Sequence, residues 1–167
     1  MRLLGLDPGL QRTGWGVIDV NDNHIRFRAA GVVTTLAELS LAERLCMLYR
    51  GLEAILLEHR PDAAAVEETV VNVNAGSSLK LGHARGVVLL VAAHGGLEVA
   101  EYASKTVKRS VVGTGAAQKR QVAMMVATLL PGSGRPVADA ADALAVALCH
   151  AHHHATRQRI AGALGLR

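Results

Sequence analysis

The chain has 167 residues, of which half are hydrophobic and 19% are charged, and this length suffices for one domain with a sizeable core. Its longest apolar run, residues 86–93, is too short to cross a bilayer, and charged residues interrupt the first apolar stretch early. The sequence therefore predicts a cytoplasmic protein, and its net charge of +4, with ten of the fourteen acidic residues among the first 68, favours a polyanionic partner.

The first third of the chain predicts three strands followed by a helix. Apolar runs and the turns between them place the strands at Arg2–Leu6, Gly14–Val20 and His24–Thr34. The turn formers Asp7-Pro8-Gly9 and Asn21-Asp22-Asn23 make an antiparallel meander the simplest arrangement. A stripe of leucines then predicts a long helix near Ala37–His59, which ends before Pro61.

The rest of the chain alternates strands with helices. Two buried strands are predicted at Ala63–Glu67 and Leu97–Tyr102. Helices are predicted at Ser77–His94, Ser104–Val111, Ala117–Leu130 and Ala138–His153, and a loose basic tail follows them. Ser104 is expected to cap the helix that it begins. This order predicts an α/β fold with a mixed sheet, in which binding sites form at strand ends.

Four carboxylates occupy places from which they are able to converge. Asp7 and Glu67 end strands, and Asp139 and Asp142 lie three apart near the start of the last helix, so they share one face. Convergent acids in a basic protein indicate metal-assisted cleavage of a phosphodiester. The simpler alternatives are a turn-forming role for Asp7 and a helix-start role for the later pair. The pattern does not decide between Glu67 and the adjacent Glu68.

Basic residues suited to phosphate contact are concentrated after residue 76. Lys119 and Arg120 open a predicted helix after a glycine-containing loop, and Lys105, Lys108 and Arg109 lie shortly before that loop. The alternative for all five is a solvated helix face. With only four aromatic residues, the chain is a poor candidate for binding single strands by base stacking.

Cysteines and histidines offer little further chemistry. Cys46 and Cys149 fall in apolar helical patterns and are predicted to be buried, free thiols. Four histidines between residues 150 and 154 follow Cys149, but this cluster lacks the second pair of ligands that a structural zinc site requires. The sequence therefore favours carboxylates rather than sulfur and imidazole as metal ligands.

Taken in order, these motifs resemble the RuvC family, the bacterial Holliday junction resolvases of the RNase H-like superfamily. The resemblance covers nearly the whole chain and rests on Leu4–Gly16, Ala65–Glu68, Asn74–Gly86, Glu101–Ala103, Val107–Gly115, Lys119–Val122 and Asp139–Ala145. It implies an RNase H-like mixed five-stranded sheet flanked by helices, with a nuclease domain over residues 1–155 and a disordered basic tail over 156–167. It places the catalytic, metal-binding acids at Asp7, Glu67, Asp139 and Asp142, which selects Glu67 over Glu68.

The resemblance also implies an activity and partners. It implies a crossover junction endodeoxyribonuclease, a homodimer with two Mg²⁺ or Mn²⁺ ions in each active site. Such an enzyme resolves four-way DNA junctions during recombination and repair by paired symmetric nicks that leave 5′-phosphate and 3′-hydroxyl ends, beside the RuvA and RuvB branch-migration complex. The family's basic DNA-contact positions fall on Lys108 and Lys119. Further predicted DNA contacts are Lys80, Arg85, Lys105, Arg109 and Arg120.

Two features stay open at the level of sequence. Val70 stands where well-known members carry an aromatic residue that probes the junction centre, so it is the candidate for that role. The apolar helix segment Leu79–Val91, with its small residues, is the candidate dimer patch, and the alternative is its burial within the subunit core.

Two other functions compete with this reading. A non-catalytic junction-binding module would need the basic face but no converging acids. A sugar-kinase or actin-like phosphotransferase has a related strand–turn opening, but it needs a second nucleotide-binding lobe.

Overall fold

Five strands and five helices account for most of residues 1–21, 24–68 and 74–163, which are the residues that the computed structural model describes, except for the side chains of 158 and 161–163. The strands are β1 (Arg2–Asp7), β2 (Arg12–Asn21), β3 (His24–Thr34), β4 (Ala63–Glu68) and β5 (Glu98–Ala103). The helices are α1 (Leu41–His59), α2 (Ala75–His94), α3 (Ser104–Val112), α4 (Lys119–Leu129) and α5 (Ala138–Ala163). A 3-10 turn at Pro131–Ser133 connects α4 to α5.

The strands form one mixed sheet in the order β3-β2-β1-β4-β5. β1, β2 and β3 pair antiparallel, as the predicted meander requires, whereas β4 is parallel to both β1 and β5. The prediction of a mixed five-stranded α/β fold is therefore confirmed. Because β1, β4 and β5 run in the same direction, their carboxyl ends meet at one edge of the sheet.

Helices cover both faces of the sheet. Leu3 and Ala65 pack with α3, α4 and α5 on one face, whereas Leu6 and Val66 pack with α1 and α2 on the other. This separation follows from the alternation of side chains along a strand. Both faces of the central strands are consequently apolar, as expected for strands that are buried on two sides.

Two glycines allow α5 to lie directly on the backbone of the sheet. A β-carbon at Gly5 would collide with the carbonyl oxygen of Ala143, and one at Gly14 would collide with the carbonyl oxygen of Asp139. The contacts are one helical turn apart on α5, so the first turns of the helix rest on β1 and β2. This close approach brings the start of α5 to the edge where β1 ends.

Several helix boundaries differ from those predicted. α1 begins at Leu41 rather than near Ala37, because Ser40 forms a capping box with Glu43. The sequence predicts that the last helix ends near His153, whereas α5 continues to Ala163. The helical pattern meets no glycine or proline between residues 138 and 161, so nothing in that stretch ends it.

The two cysteines have different environments. Cys149 is a buried free thiol as predicted, and burial raises its pKa to about 11. The prediction that Cys46 is buried is wrong, because Cys46 lies on the exposed side of α1. Within the part of the chain that the structure describes, no helix has the length and apolar character that crossing a membrane requires.

Candidate active site

Asp7 and Glu67 lie beside each other at the carboxyl ends of β1 and β4. Ala65 packs on the α5 side of the sheet and Val66 packs on the α1 and α2 side. Alternation therefore turns Glu67 toward α5 and directs the exposed Glu68 to the opposite face. The three-dimensional structure thus supplies the geometric reason for preferring Glu67 that the sequence pattern alone did not contain.

Asp142 joins these two acids in a pocket of about 120 Å³. The same pocket is lined by Lys108 of α3, Lys119 of α4 and several apolar side chains. Asp139 lies one turn before Asp142 on α5, outside this lining and nearer to solvent, with 30% of its side chain exposed against 16% for Asp142. Three of the four predicted acids therefore share one pocket, and the fourth lies at its margin.

Each acid of α5 forms an ion pair with a basic side chain. Lys119 Nζ lies 2.9 Å from Asp142 Oδ2, and Arg12 Nε donates to Asp139 Oδ2 at 2.6 Å. Lys119 was predicted at the site, whereas Arg12 was not. The sequence does show a basic residue, Arg12, shortly after the Asp7 turn. It does not show that this arginine pairs with Asp139, because the two residues are 127 positions apart.

Ser104 has a different role from the one predicted. Ala103 occupies the cap position of α3 without a capping side-chain hydrogen bond, and Ser104 is the first helical residue. Ser104 lines the same pocket as Glu67 and lowers the pKa of that carboxyl. It reaches the pocket because the end of β5 leads directly into α3 next to the end of β4.

The pocket concentrates more negative charge than its lysines neutralise. Burial, together with the carboxylates of Glu67 and Asp142, raises the pKa of Asp7 to about 7, although Lys119 opposes this shift. Burial also raises the pKa of Glu67, against the hydrogen bond from Ser104. An added cation would relieve this repulsion.

The donor set fits a hard divalent cation, since all four candidate ligands are carboxylates. Among the described residues, however, no three acidic, histidine or cysteine side chains are already grouped closely enough to hold a metal ion. The ion pairs with Arg12 and Lys119 instead engage one oxygen of each α5 acid. A cation bound through those same oxygens would replace Arg12 and Lys119 as their partners.

The pKa of Asp7 predicts a pH-dependent stability of the metal-free protein. Folded Asp7 keeps its proton up to about pH 7, whereas unfolded aspartate loses it near 3.8, so the contribution of Asp7 to stability is largest in acid and falls as the pH rises to about 7. A shift of this size corresponds to at most about 4 kcal/mol. Asp7→Asn should therefore unfold about 5 °C or more above the wild type at pH 8 in EDTA, and the difference should shrink at pH 5. An equal difference in melting temperature between Asp7→Asn and the wild type at pH 5 and pH 8 would contradict this prediction.

The predicted DNA contacts occupy different surroundings. Lys108 and Lys119 line the acid pocket. Arg85 is engaged in an ion pair with Glu101, which links α2 to β5, so this arginine stabilises the fold in the structure. Val70 lies outside the described residues. Lys80, Lys105, Arg109 and Arg120 are exposed to solvent, and so is most of the Lys119 side chain.

The histidines near the end of α5 are used in packing. His150 is buried, and its Nδ1 lies 2.9 Å from the Tyr102 hydroxyl. His152 Nδ1 lies 3.1 Å from the Ser110 hydroxyl. These two hydrogen bonds join α5 to β5 and α3, so His150 and His152 have structural roles that need no metal ion.

A mixed sheet with acids from β1, β4 and α5 at the carboxyl edge defines a nuclease of the RNase H-like class. Residues 3–150 match the family described as crossover junction endodeoxyribonuclease RuvC. The chain belongs to the RuvC family, and it is a nuclease of that family. Nucleases of this family generally depend on divalent metal.

Similar proteins agree over nearly the whole chain. The crossover junction endodeoxyribonuclease RuvC of Paramagnetospirillum magneticum is 61% identical over 98% of this chain and 99% of its own. That of Gluconobacter oxydans is 56% identical over 96% of this chain and 95% of its own. The solved structure of T. thermophilus RuvC in complex with Holliday junction substrate is 34% identical, with a TM-score of 0.87 over 94% of this chain and 96% of that one.

Proposed function

We propose that this chain resolves four-way DNA junctions in recombination and repair by symmetric nicks in two strands, leaving 5′-phosphate and 3′-hydroxyl ends. The observation that carries the proposal is the pocket in which Asp7, Glu67 and Asp142 lie beside Lys108 and Lys119. The similarity to T. thermophilus RuvC in complex with Holliday junction substrate supports a junction as the DNA that this chain binds.

The catalytic acids of this proposal are Asp7, Glu67, Asp139 and Asp142, which would hold two Mg²⁺ or Mn²⁺ ions. When bound, such ions supply an activated water and stabilise the leaving 3′ oxygen. Ser104 lies in the pocket with Glu67 and favours the charged form of that carboxylate. Lys108 and Lys119 bind backbone phosphates and position the scissile strand, which contributes affinity but no base sequence preference.

Incubation with an end-labelled four-way junction tests the proposal. Nicks at symmetric positions should appear with Mg²⁺ or Mn²⁺ and disappear in EDTA, while a linear duplex of the same sequence stays intact. Retention of the junction without cleavage in either metal would favour a non-catalytic junction-binding module. Ligation of the products checks the chemistry of the ends, because only 5′-phosphate and 3′-hydroxyl termini are rejoined directly.

A homodimer is part of the same proposal, since a two-fold symmetric junction requires two matched active sites. The apolar stripe of α2 supports it, because Leu79 and Leu90 are 65% and 58% exposed in the single subunit. Cooperation with the RuvA and RuvB complex remains a prediction from the resemblance, and a cytoplasmic location remains a prediction from the sequence.

Removing Lys108 or Lys119 should weaken junction binding in a salt-dependent way. Each lysine lines the pocket and carries one charge toward the DNA path. Alanine at either position should lower the slope of log K against log salt by about 0.9, as expected for one lost phosphate contact. Fluorescence anisotropy with a labelled junction across a salt series in EDTA measures this slope.

Arg50→Ala provides the matched control for these variants. Arg50 is exposed on α1, which covers the opposite face of the sheet, so its removal lowers the net charge without altering the pocket. If the salt slope is unchanged in Lys108→Ala and Lys119→Ala, or changes equally in Arg50→Ala, these lysines do not contact DNA phosphates and belong to an ordinary solvated surface.

A further inference from the structure

Arg12 lies beside the acid pocket on a firmly held piece of backbone. It begins β2, and the next residue, Thr13, is fully buried and donates its hydroxyl to the Gly9 carbonyl at 2.7 Å. On the other side, the Thr35 amide donates to the Gln11 carbonyl at 3.0 Å. These bonds hold the main chain, whereas the Arg12 side chain is 48% exposed and has room to change rotamer.

The Arg12 guanidinium bonds the acid that lies at the margin of the pocket. Its Nε donates to Asp139 Oδ2 at 2.6 Å, and the side chain of Asp139 is 30% exposed. Pairs this open to solvent are weak and exchange partners readily. Arg12 therefore neutralises Asp139 without locking it in place.

We propose that Arg12 is a positioning residue that holds Asp139 before DNA arrives and then transfers to a backbone phosphate, which frees Asp139 to bind the divalent cation. The inference rests on the proposed junction cleavage and its metal-binding acids. Carboxylate and phosphate both accept the paired N–H donors of a guanidinium, so the same side chain suits either partner. Junction binding then favours metal binding, and metal binding favours junction binding by the same factor.

The first test measures Mn²⁺ binding by calorimetry to the DNA-free protein. Arg12→Gln should bind Mn²⁺ about two- to fivefold more tightly than the wild type, because the competing cation is gone. Arg12→Lys keeps a positive charge and should stay close to the wild type. Arg50→Gln removes an exposed charge on α1, on the opposite face of the sheet, and serves as the control for a general effect of net charge.

The second test measures junction binding without metal. Arg12→Gln should reduce the salt slope of binding by about 0.9, since one phosphate contact is lost, and Arg12→Lys should retain it. Unchanged or weaker Mn²⁺ affinity in Arg12→Gln, an equal gain in Arg50→Gln, or an unchanged salt slope would each overturn the role of Arg12.

Asp139→Asn separates this inference from the proposed function. If Asp139→Asn weakens Mn²⁺ binding while Arg12→Gln leaves it unaltered, the metal site stands and only the role of Arg12 fails. If Mn²⁺ binding to the wild type is absent or independent of Asp139, the assignment of Asp139 as a metal ligand fails, and the role of Arg12 fails with it.

Discussion

Replacing Glu67 with glutamine should abolish junction cleavage, whereas replacing the adjacent Glu68 with glutamine should leave cleavage intact. Glu67 faces α5 and lines a pocket with Asp7 and Asp142, while Glu68 is exposed on the other side of β4. Glutamine preserves the size of the side chain but removes the charge that holds a divalent cation. We therefore expect the single-turnover rate of the Glu67 variant to fall about 100- to 1000-fold or more.

Junction binding should survive in the same variant, because Lys108 and Lys119 remain in place. Gel-shift assays in EDTA and cleavage assays in Mg²⁺ on the same preparations separate binding from chemistry. Asp7→Asn and Asp142→Asn should behave like the Glu67 variant. Full cutting activity in any of these three variants removes that residue from the catalytic set. An equal loss in Glu68→Gln would indicate damage that is not specific to the pocket.

Introducing a charge at Leu90 should convert a dimer into a monomer that no longer makes paired nicks. α2 buries Val88 within its own subunit, but Leu79 and Leu90 are 65% and 58% exposed on its other side. Between them, Gly82 and Gly86 have open space where a side chain would stand, so a second copy has room to approach closely. A patch of this kind is self-complementary across a two-fold axis.

Sedimentation and a supercoiled plasmid with an extruded cruciform test this prediction together. A dimer that nicks both strands in one encounter yields linear DNA, whereas a monomer yields nicked circles. Leu57→Glu is the matched control, because Leu57 is 71% exposed and belongs to α1 rather than to α2. A wild-type monomer at micromolar concentration that still produces linear DNA would exclude this dimer, as would a Leu90→Glu variant that stays dimeric.

Local patterns predicted the parts of the site that depend on neighbours in sequence. The apolar runs placed Asp7 and Glu67 at strand ends, and the spacing of Asp139 and Asp142 placed them on one helix face. The choice between Glu67 and Glu68 was not predictable from the pattern. Helices cover both faces of the sheet, so the residues of β4 that precede Glu67 are apolar on both faces. Only the positions of α5 and α2 in space distinguish the two glutamates.

The roles of Ser104 and Arg12 were missed for a related reason. A serine at a helix start is ordinarily a cap, and only the three-dimensional structure shows that Ser104 lies inside the helix and lines the pocket with Glu67. The Arg12 interaction joins residues 127 positions apart, beyond the reach of any local signal. The extension of α5 past His153 was missed because the composition of the tail is basic and polar, although its helical propensity is adequate.

The contact of α5 with Gly5 and Gly14 makes the position of Asp139 insensitive to substitutions in the core. Because main-chain atoms meet main-chain atoms there, the height of Asp139 above the sheet is set by peptide geometry rather than by the bulk of interior side chains. Exchanges among aliphatic residues elsewhere in the interior would alter stability while leaving this spacing nearly constant. The spacing of the acids therefore depends on the backbones of β1, β2 and α5 and hardly on which aliphatic side chains fill the core.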